Sequence, residues 1–194
     1  AIKKEITLLI LQYLKDENLH ETAHSLERQT GCFFDVRYFE SLVLAGRFDE
    51  AENYLSGFTH INHNLHSTMI YFELRKQKFL EALDKKDHVQ ALNILRNELK
   101  DFTGYNEMLY RDATLLMGLD DFRKHGALCT YGDVKIERMY MMDAVKKLLG
   151  ENPALQGKMQ INIPRTSNLV RLVIYGMQAA KEASNALAMR FSRN

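Results

Sequence analysis

Proline, cysteine and tryptophan are scarce or missing in this sequence. Its two prolines, Pro153 and Pro164, both lie between positions 150 and 165, so no proline interrupts a helix before that point. The two cysteines, Cys32 and Cys129, do not form a Cys-x-x-Cys pair, which disfavours a structural disulfide and suits a reducing compartment. No apolar run approaches the roughly 20 residues that a membrane-spanning helix needs, so no membrane partner is expected.

A strong excess of charge of either sign is also missing. The 26 lysines and arginines nearly balance the 25 aspartates and glutamates, which disfavours direct binding to nucleic acid. The sequence contains no phosphate-binding glycine loop, dinucleotide fingerprint, zinc-protease helix or serine-hydrolase elbow. We therefore predict that the chain is not an enzyme and that it holds no cofactor.

The histidines raise the question of a metal site. His20 and His24 lie one turn apart on a predicted helix, a spacing that can hold a metal ion, but no third ligand is near them in the sequence. His60, His63 and His66 recur every three residues around a predicted loop, where a polar surface is the simpler explanation. We predict no metal site.

Apolar residues recur at three- and four-residue steps along most of the chain, and runs of strict alternation are missing. The pattern predicts an all-α fold, a compact bundle of about nine or ten helices. The predicted helices cover about 3–15, 19–29, 36–45, 48–55, 66–84, 87–100, 105–117, 119–125, 132–149 and 168–190. Aspartates are the predicted N-caps of three helices (Asp35, Asp87 and Asp133), and glycines are predicted to end four helices (Gly31, Gly46, Gly57 and Gly150). The long connection over 150–167 is predicted to pack on the surface through Leu155, Met159, Ile161 and Ile163.

The segment over residues 6–31 contains two short apolar helix patterns separated by a polar turn at Lys15–Asn18. Two helices this short cannot bury both apolar faces against each other, so the surplus surface needs a partner. A second copy of the same hairpin is the partner that we predict. The predicted dimerisation residues are Ile6, Leu9, Ile10, Tyr13, Leu14, Leu19 and Leu26.

Several stretches, in order along the chain, resemble the amino-terminal domain of the Topless and Topless-related corepressors of plants. They are Gly31-Cys-Phe-Phe, Arg37-Tyr-Phe-Glu, Tyr54-Leu-Ser-Gly-Phe-Thr, Glu73-Leu-Arg-Lys-Gln-Lys-Phe-Leu-Glu-Ala-Leu-Asp, Leu119-Asp-Asp-Phe-Arg and Tyr131-Gly-Asp. Residues 1–31 resemble a LisH dimerisation hairpin, 32–102 resemble the CTLH helices that commonly follow it, and 103–194 resemble the CRA region. The resemblance implies one continuous domain excised from a longer protein that continues into WD40 propellers.

The resemblance further implies a nuclear corepressor domain that forms homodimers to homotetramers and recruits repressors or adaptors through their LxLxL-type (EAR) peptides. The implied peptide groove is lined by Leu65, His66, Met69, Phe72, Phe102, Leu109, Leu116, Phe122, Leu128 and Leu148. The implied contact between dimers falls on Lys100, Thr114, Leu115 and Asp120. Alternate leucines of an extended peptide need spaced apolar pockets, which this groove would supply.

The sequence departs from the family at the rim of the implied groove. Where family members usually have Arg, Tyr and Lys, this chain has Leu65, His66 and Met69. We therefore expect weaker or altered peptide selectivity and less dependence on salt. Leu115 replaces a polar residue at the contact between dimers, where it either strengthens the contact or turns inward as core.

Two other functions stay open at this stage. The same motifs occur in LisH–CTLH scaffold subunits of ubiquitin-ligase-type assemblies, which join subunits without reading an EAR peptide. A helical enzyme of a new kind would require an activity or a bound cofactor for which the sequence offers no residues. Peptide binding separates the first alternative from the corepressor function.

Overall fold

The computed structural model describes residues 2–161, 163 and 168–191, and this part of the chain is helical without any β-strand. The predicted all-α bundle is confirmed, with nine α-helices among the described residues. They are α1 (Ile2–Asp16), α2 (His20–Thr30), α3 (Val36–Leu44), α4 (Phe48–Leu55), α5 (Leu65–Asp84), α6 (His88–Asn97), α7 (Glu107–Met117), α8 (Val134–Glu151) and α9 (Leu169–Phe191). Short 3-10 turns lie at Leu99–Phe102, Phe122–Lys124, Gly126–Leu128 and Pro153–Leu155. None of the described helices has the length and apolar character required to cross a membrane.

The three aspartate N-caps are confirmed. The Asp35 carboxylate accepts hydrogen bonds from two main-chain amides in the first turn of α3, and Asp133 does the same at the start of α8. Asp87 accepts one such bond at α6. Each carboxylate satisfies amides that have no partner within the helix. Gly31 ends α2 in the left-handed conformation, with φ of +59°, as its position after the apolar pattern predicts.

One predicted helix is wrong, and two predicted helix ends differ from the structure by a few residues. The chain over 119–125 forms no α-helix but begins a 3-10 turn at Phe122, where Asp121 caps the amide of Arg123. The predicted helix over 87–100 ends at Asn97, and a 3-10 turn follows that buries Leu99 and Phe102 on one side, as residues three apart in such a turn require. Gly150 lies inside α8, which ends at Glu151 because Pro153 disfavours helical backbone at the residue before it, Asn152.

The chain forms two compact units, of which the larger covers residues 34–159. Its centre is α5, which packs against α4, α6 and α8, while α3 packs against α4 and α8. Phe34 is fully buried, and its ring lies edge-on to that of Phe58 with the centroids 4.9 Å apart. Further along the chain, Leu155 is buried and Met159 packs against the same core, as predicted for the connection after α8.

The second unit comprises residues 1–33 and 160–194, of which the described residues include α1, α2 and α9. Helix α1 packs against α2 and also contacts α9. Among the described residues of this unit the apolar core is small and consists of Leu8, Leu11 and Ala23. Ile161 and Ile163 pack against that core, whereas 162 and 164–167, which also belong to the predicted connection, lie outside the described residues. The predicted boundaries at residues 31 and 102 stay a prediction.

Candidate functional site

The larger unit contains an apolar cavity of about 180 Å³ between α5 and α7, which we call the α5–α7 groove. Helix α5 supplies one wall, the 3-10 turn at Leu99–Phe102 supplies the base, and α7 supplies the other wall. His125 and the 3-10 turn that follows it at Gly126–Leu128 close one side. The lining residues are Phe72, Lys76, Phe79, Leu80, Leu99, Phe102, Leu109, Tyr110, Asp112, Ala113, Leu116, His125, Ala127 and Leu128.

One face of α5 carries the groove wall and continues beyond it. Phe72, Lys76 and Phe79 line the groove, and Met69 and Leu65 lie on the same face one and two turns towards the start of the helix. Both of these residues are exposed. From Met69 to Phe79 the face is about 15 Å long, given the rise of an α-helix. The groove is therefore the enclosed part of a longer apolar strip.

Two phenylalanines form the aromatic corner of the groove. The rings of Phe72 and Phe102 meet edge to face with their centroids 5.2 Å apart. The Lys76 ammonium lies 5.5 Å from the centre of the Phe72 ring and 2.6 Å from a Glu73 carboxylate oxygen. Because Glu73 pairs with it, Lys76 contributes its alkyl chain and only a compensated charge to the groove.

Arg75 fixes the turn that carries Phe102. Its guanidinium donates to both carboxylate oxygens of Glu52, to the main-chain oxygen of Glu98 and to Asp101. Burial alone would lower the pKa of Arg75, but its hydrogen bonds with Glu52 and the charge of that carboxylate raise it above the ordinary value. The turn at Leu99–Phe102 is thus tied to α5 by a permanently charged side chain.

A second polar network holds the segment that closes one side of the groove. The Gln77 amide donates to the Tyr131 hydroxyl at 2.9 Å and to Glu81, and Glu81 receives two hydrogen bonds of 2.7 Å from Arg138. Burial raises the pKa of the Tyr131 hydroxyl to about 12. The Tyr131 ring stacks edge-on against Phe122, so this network holds the segment that closes the groove.

His125 is the one polar side chain of the groove with a buried atom that lacks a partner among the described residues. Its Nδ1 atom is inaccessible to solvent and makes no hydrogen bond there. The residue is extended, between the two 3-10 turns. Its main-chain amide donates to Phe122 and its main-chain oxygen accepts from Leu128, so its backbone is fixed from both sides.

The predicted groove residues divide into two sets. Five of them line the cavity: Phe72, Phe102, Leu109, Leu116 and Leu128. The other five lie elsewhere. Leu65 and Met69 are exposed on the outer part of the α5 face, and His66 lies 3.6 Å from Glu151. Phe122 is buried beside Tyr131, and Leu148 packs half-buried against the core.

Sequence reasoning missed several lining residues. Phe79 lies two helical turns from Phe72, and Ala113 lies one turn from Leu109, so helical spacing from the predicted residues identifies both. His125 carries no such signal, because the sequence predicts a helix over its segment. Its place in the groove follows from the two turns that the structure has there.

The predicted self-association residues are distributed unevenly. In the smaller unit Ile6, Tyr13 and Leu19 are exposed, Ile10, Leu14 and Leu26 are half-buried, and Leu9 is buried. In the larger unit all four residues of the predicted contact between dimers are exposed: Lys100, Thr114, Leu115 and Asp120. Leu115 therefore does not turn inward, since 63% of its surface is accessible.

Comparison with known proteins agrees with the resemblance in the sequence. Residues 35–159, which include the whole α5–α7 groove, match the family model of the TPR1-like, CTLH-containing domain. The chain is 46% identical to Topless-related protein 4 and 44% identical to Protein TOPLESS, both from Arabidopsis thaliana, over 173 residues that cover 89% of this chain. It is 43% identical over the same length to Protein TPR3 of Oryza sativa subsp. japonica. The match covers 15% of the length of these relatives. The predicted similarity to the Topless proteins is confirmed, and the chain belongs to the family of TPR1-like, CTLH-containing domains.

Proposed function

We propose that this chain is the part of a nuclear transcriptional corepressor that joins copies of the protein and recruits leucine-rich repression motifs. The α5–α7 groove is the observation that carries this proposal. It is apolar and open to solvent, and it lies in the region shared with the Topless-related proteins. A groove of this kind suits a short apolar segment of a partner protein.

The dimensions of the groove favour an extended peptide with leucines at alternate positions. In such a peptide, side chains two residues apart point to the same side, and the first and last leucines of an LxLxL motif are about 13 Å apart. The apolar face of α5 from Met69 to Phe79 has a similar length of about 15 Å. Each buried leucine contributes roughly 1.5–3 kcal/mol before the loss of peptide freedom is subtracted.

The outer part of the α5 face governs which flanking residues the peptide carries. Leu65 and Met69 are exposed there and bear no charge. His66, on the neighbouring face, is 3.6 Å from Glu151. Apolar flanking residues can therefore extend the contact along this face, whereas acidic flanking residues gain little from it.

Self-association forms the second part of the proposed function. Ile6, Tyr13 and Leu19 expose apolar surface on the small α1–α2 unit, and a second copy offers matching surface. The exposed set Lys100, Thr114, Leu115 and Asp120 is the surface through which dimers would pair into tetramers. Several weak peptide sites on one assembly raise the avidity for partners that are themselves multimeric.

Calorimetric titration with a short peptide tests the proposal. The peptide is acetyl-Ser-Leu-Ser-Leu-Ser-Leu-Ser-amide, and its control has the same composition with the three leucines adjacent. We expect saturable binding of the first peptide and much weaker binding of the control, because adjacent leucines cannot all enter one groove. Equal binding of the two peptides, or binding of neither, contradicts the proposal.

A matched pair of variants on α7 locates the binding site. Leu109 lines the groove and is 37% exposed, whereas Leu115 lies on the same helix outside the groove and is 63% exposed. We expect Leu109→Ser to weaken peptide binding about tenfold, through the loss of apolar contact. Leu115→Ser should leave the intrinsic peptide affinity unchanged. Equal effects of the two substitutions would place the peptide elsewhere.

A further inference from the structure

The α7 wall of the α5–α7 groove contains a carboxylate without a partner. Lys76 on α5 and Asp112 on α7 both line the groove, and Lys76 is paired with Glu73 at 2.6 Å. The Asp112 side chain is half-buried, and within the described part of the chain its carboxylate accepts no hydrogen bond and forms no ion pair. The α7 side of the groove therefore carries a negative charge that no described residue compensates.

Asp112 lies at the edge of the α7 wall rather than in its middle. Around the helix axis it is about 40° from Leu116 and about 100° from Ala113, and both of these residues are buried. An aspartate side chain is short, so its carboxylate stays close to the part of the wall that the residue lines. The charge is therefore accessible from the opening of the groove.

The neighbours of Asp112 along the helix are apolar. Residues three and four positions apart on an α-helix lie beside each other. For Asp112 these are Met108, Leu109, Leu115 and Leu116. Met108 and Leu115 are each 63% exposed. The carboxylate thus lies within a strip of accessible apolar surface and receives no support from its own helix.

We infer that the bound leucine-rich segment carries an arginine or a lysine whose cationic group pairs with the Asp112 carboxylate, an inference that rests on the proposed function. A peptide that covers the α7 edge removes water from this carboxylate, and an uncompensated charge opposes that step. A guanidinium or ammonium group on the peptide replaces the lost water contacts with charge-assisted hydrogen bonds. Asp112 is then a residue that determines specificity by charge, whereas the apolar pockets select leucines.

The surface around Asp112 suits a basic side chain better than a hydroxyl group. Arginine and lysine lay their methylene groups along apolar surface and keep the charged end in contact with water. The exposed parts of Met108 and Leu115 offer such a surface beside the carboxylate. The residues between the leucines of an extended peptide point away from the leucine pockets, towards the opening of the groove. A long basic side chain at one of these positions can reach Asp112 without displacing a leucine.

Calorimetric titration with charged forms of the leucine peptide tests the inference. Each serine of acetyl-Ser-Leu-Ser-Leu-Ser-Leu-Ser-amide is replaced in turn by arginine and by citrulline, which has nearly the same shape without the charge. We expect at least one position at which the arginine peptide binds about twofold to tenfold more tightly than the citrulline peptide. This ratio should be smaller at about 200 mM NaCl than at about 50 mM. A ratio of one at every position would overturn the inference.

Substitutions at position 112 identify the partner of the arginine. We expect Asp112→Asn to reduce the ratio to about one and to bind the serine peptide at least as tightly as the unaltered chain does, because no carboxylate is then covered. Asp112→Glu should keep most of the ratio. The control is Asp143→Asn on α8, which makes the same change in net charge at an exposed residue outside the groove and should keep the ratio. An unchanged ratio in Asp112→Asn, or its loss in Asp143→Asn as well, contradicts the pairing.

Two further outcomes separate this inference from other roles of Asp112. Both peptides require the folded groove, so partial unfolding of a variant lowers both affinities and leaves their ratio unchanged. Light scattering should give Asp112→Asn the same assembly mass as the unaltered chain. A lower mass would assign the carboxylate to a contact between copies and overturn the inference.

The serine peptide distinguishes this inference from the proposed function. If the unaltered chain binds the serine peptide but does not prefer arginine over citrulline, the proposed function stands and only the pairing with Asp112 is removed. Failure of the unaltered chain to bind any of the leucine peptides would overturn both.

Discussion

The two compact units differ in how completely they bury their own apolar surface. Residues 34–159 enclose a continuous core that runs from Phe34 to Leu155 and includes residues of α3 to α8. The described part of the other unit buries only Leu8, Leu11 and Ala23 in its core. Its helix α9 leaves every side chain from Val170 to Arg190 exposed.

The two units therefore differ in what their exposed apolar surface can bind. The described residues of the larger unit bury a continuous core and also enclose the α5–α7 groove, a restricted apolar site that suits a small ligand segment, while side chains such as Leu115 stay exposed outside it. The smaller unit presents apolar side chains along whole helices, including Val173 and Ile174 on α9. Extended faces of this kind are typical of contacts between protein chains rather than of ligand sites.

The largest effect should come from the core of the larger unit. Phe34 is fully buried and its ring contacts those of Phe39, Tyr54 and Phe58. We expect Phe34→Ala to lower the free energy of unfolding by about 3–5 kcal/mol, measured by urea titration. Val89, which is 82% exposed, provides the control, and Val89→Ala should change it by less than about 0.5 kcal/mol. A similar small change for both would mean that this core is not the stable part of the chain.

Much of this architecture could be predicted from the sequence, because its causes are local. The caps at Asp35, Asp87 and Asp133 depend on one side chain and the amides next to it. The turns around His125 could not be predicted, since their packing depends on contacts such as that between Phe122 and Tyr131, which no cap or periodic pattern in the sequence identifies.

The same limit applies to exposure within a helix. Ile6 and Leu9 belong to one periodic apolar pattern in α1, yet Ile6 is exposed and Leu9 is buried. Periodicity assigns both residues to the apolar side of the helix, but only the neighbouring helices decide which part of that side is covered. In the groove, likewise, five of the predicted residues line the cavity and five do not.

The second largest effect should come from the exposed apolar surface of the smaller unit. Ile6 is 48% exposed, so Ile6→Glu leaves the core of one chain intact but places a charge in the proposed contact between copies. We expect the dissociation constant of the dimer to rise at least about a hundredfold, because both copies lose a buried isoleucine. Light scattering over a range of protein concentrations measures it.

The control for Ile6→Glu is Val89→Glu, which introduces the same charge on α6 of the larger unit. By light scattering, Val89→Glu should form an assembly of the same mass as the unaltered chain does. If Ile6→Glu keeps both the assembly mass and the helix content of the unaltered chain, the surface of α1 is not the contact between copies. Circular dichroism ensures that a change in mass is not caused by unfolding.

The smallest effect should be that of salt on peptide binding. Because Leu65 and Met69 are uncharged and Lys76 is paired with Glu73, we expect the Kd of the uncharged peptide to change by less than about twofold between about 50 and about 200 mM NaCl.

Met69→Lys adds a charge to the exposed part of the α5 face. With a peptide that carries aspartate beside its leucines, this variant should bind about 1.5-fold to fivefold more tightly at low salt, the range of one exposed ion pair. That gain should disappear at high salt, whereas Val89→Lys should produce none. Strong salt dependence in the unaltered chain would mean that charged groups outside the groove take part in binding. The peptide site would then consist of an apolar groove together with charged residues at its rim, unlike the apolar surface through which copies associate.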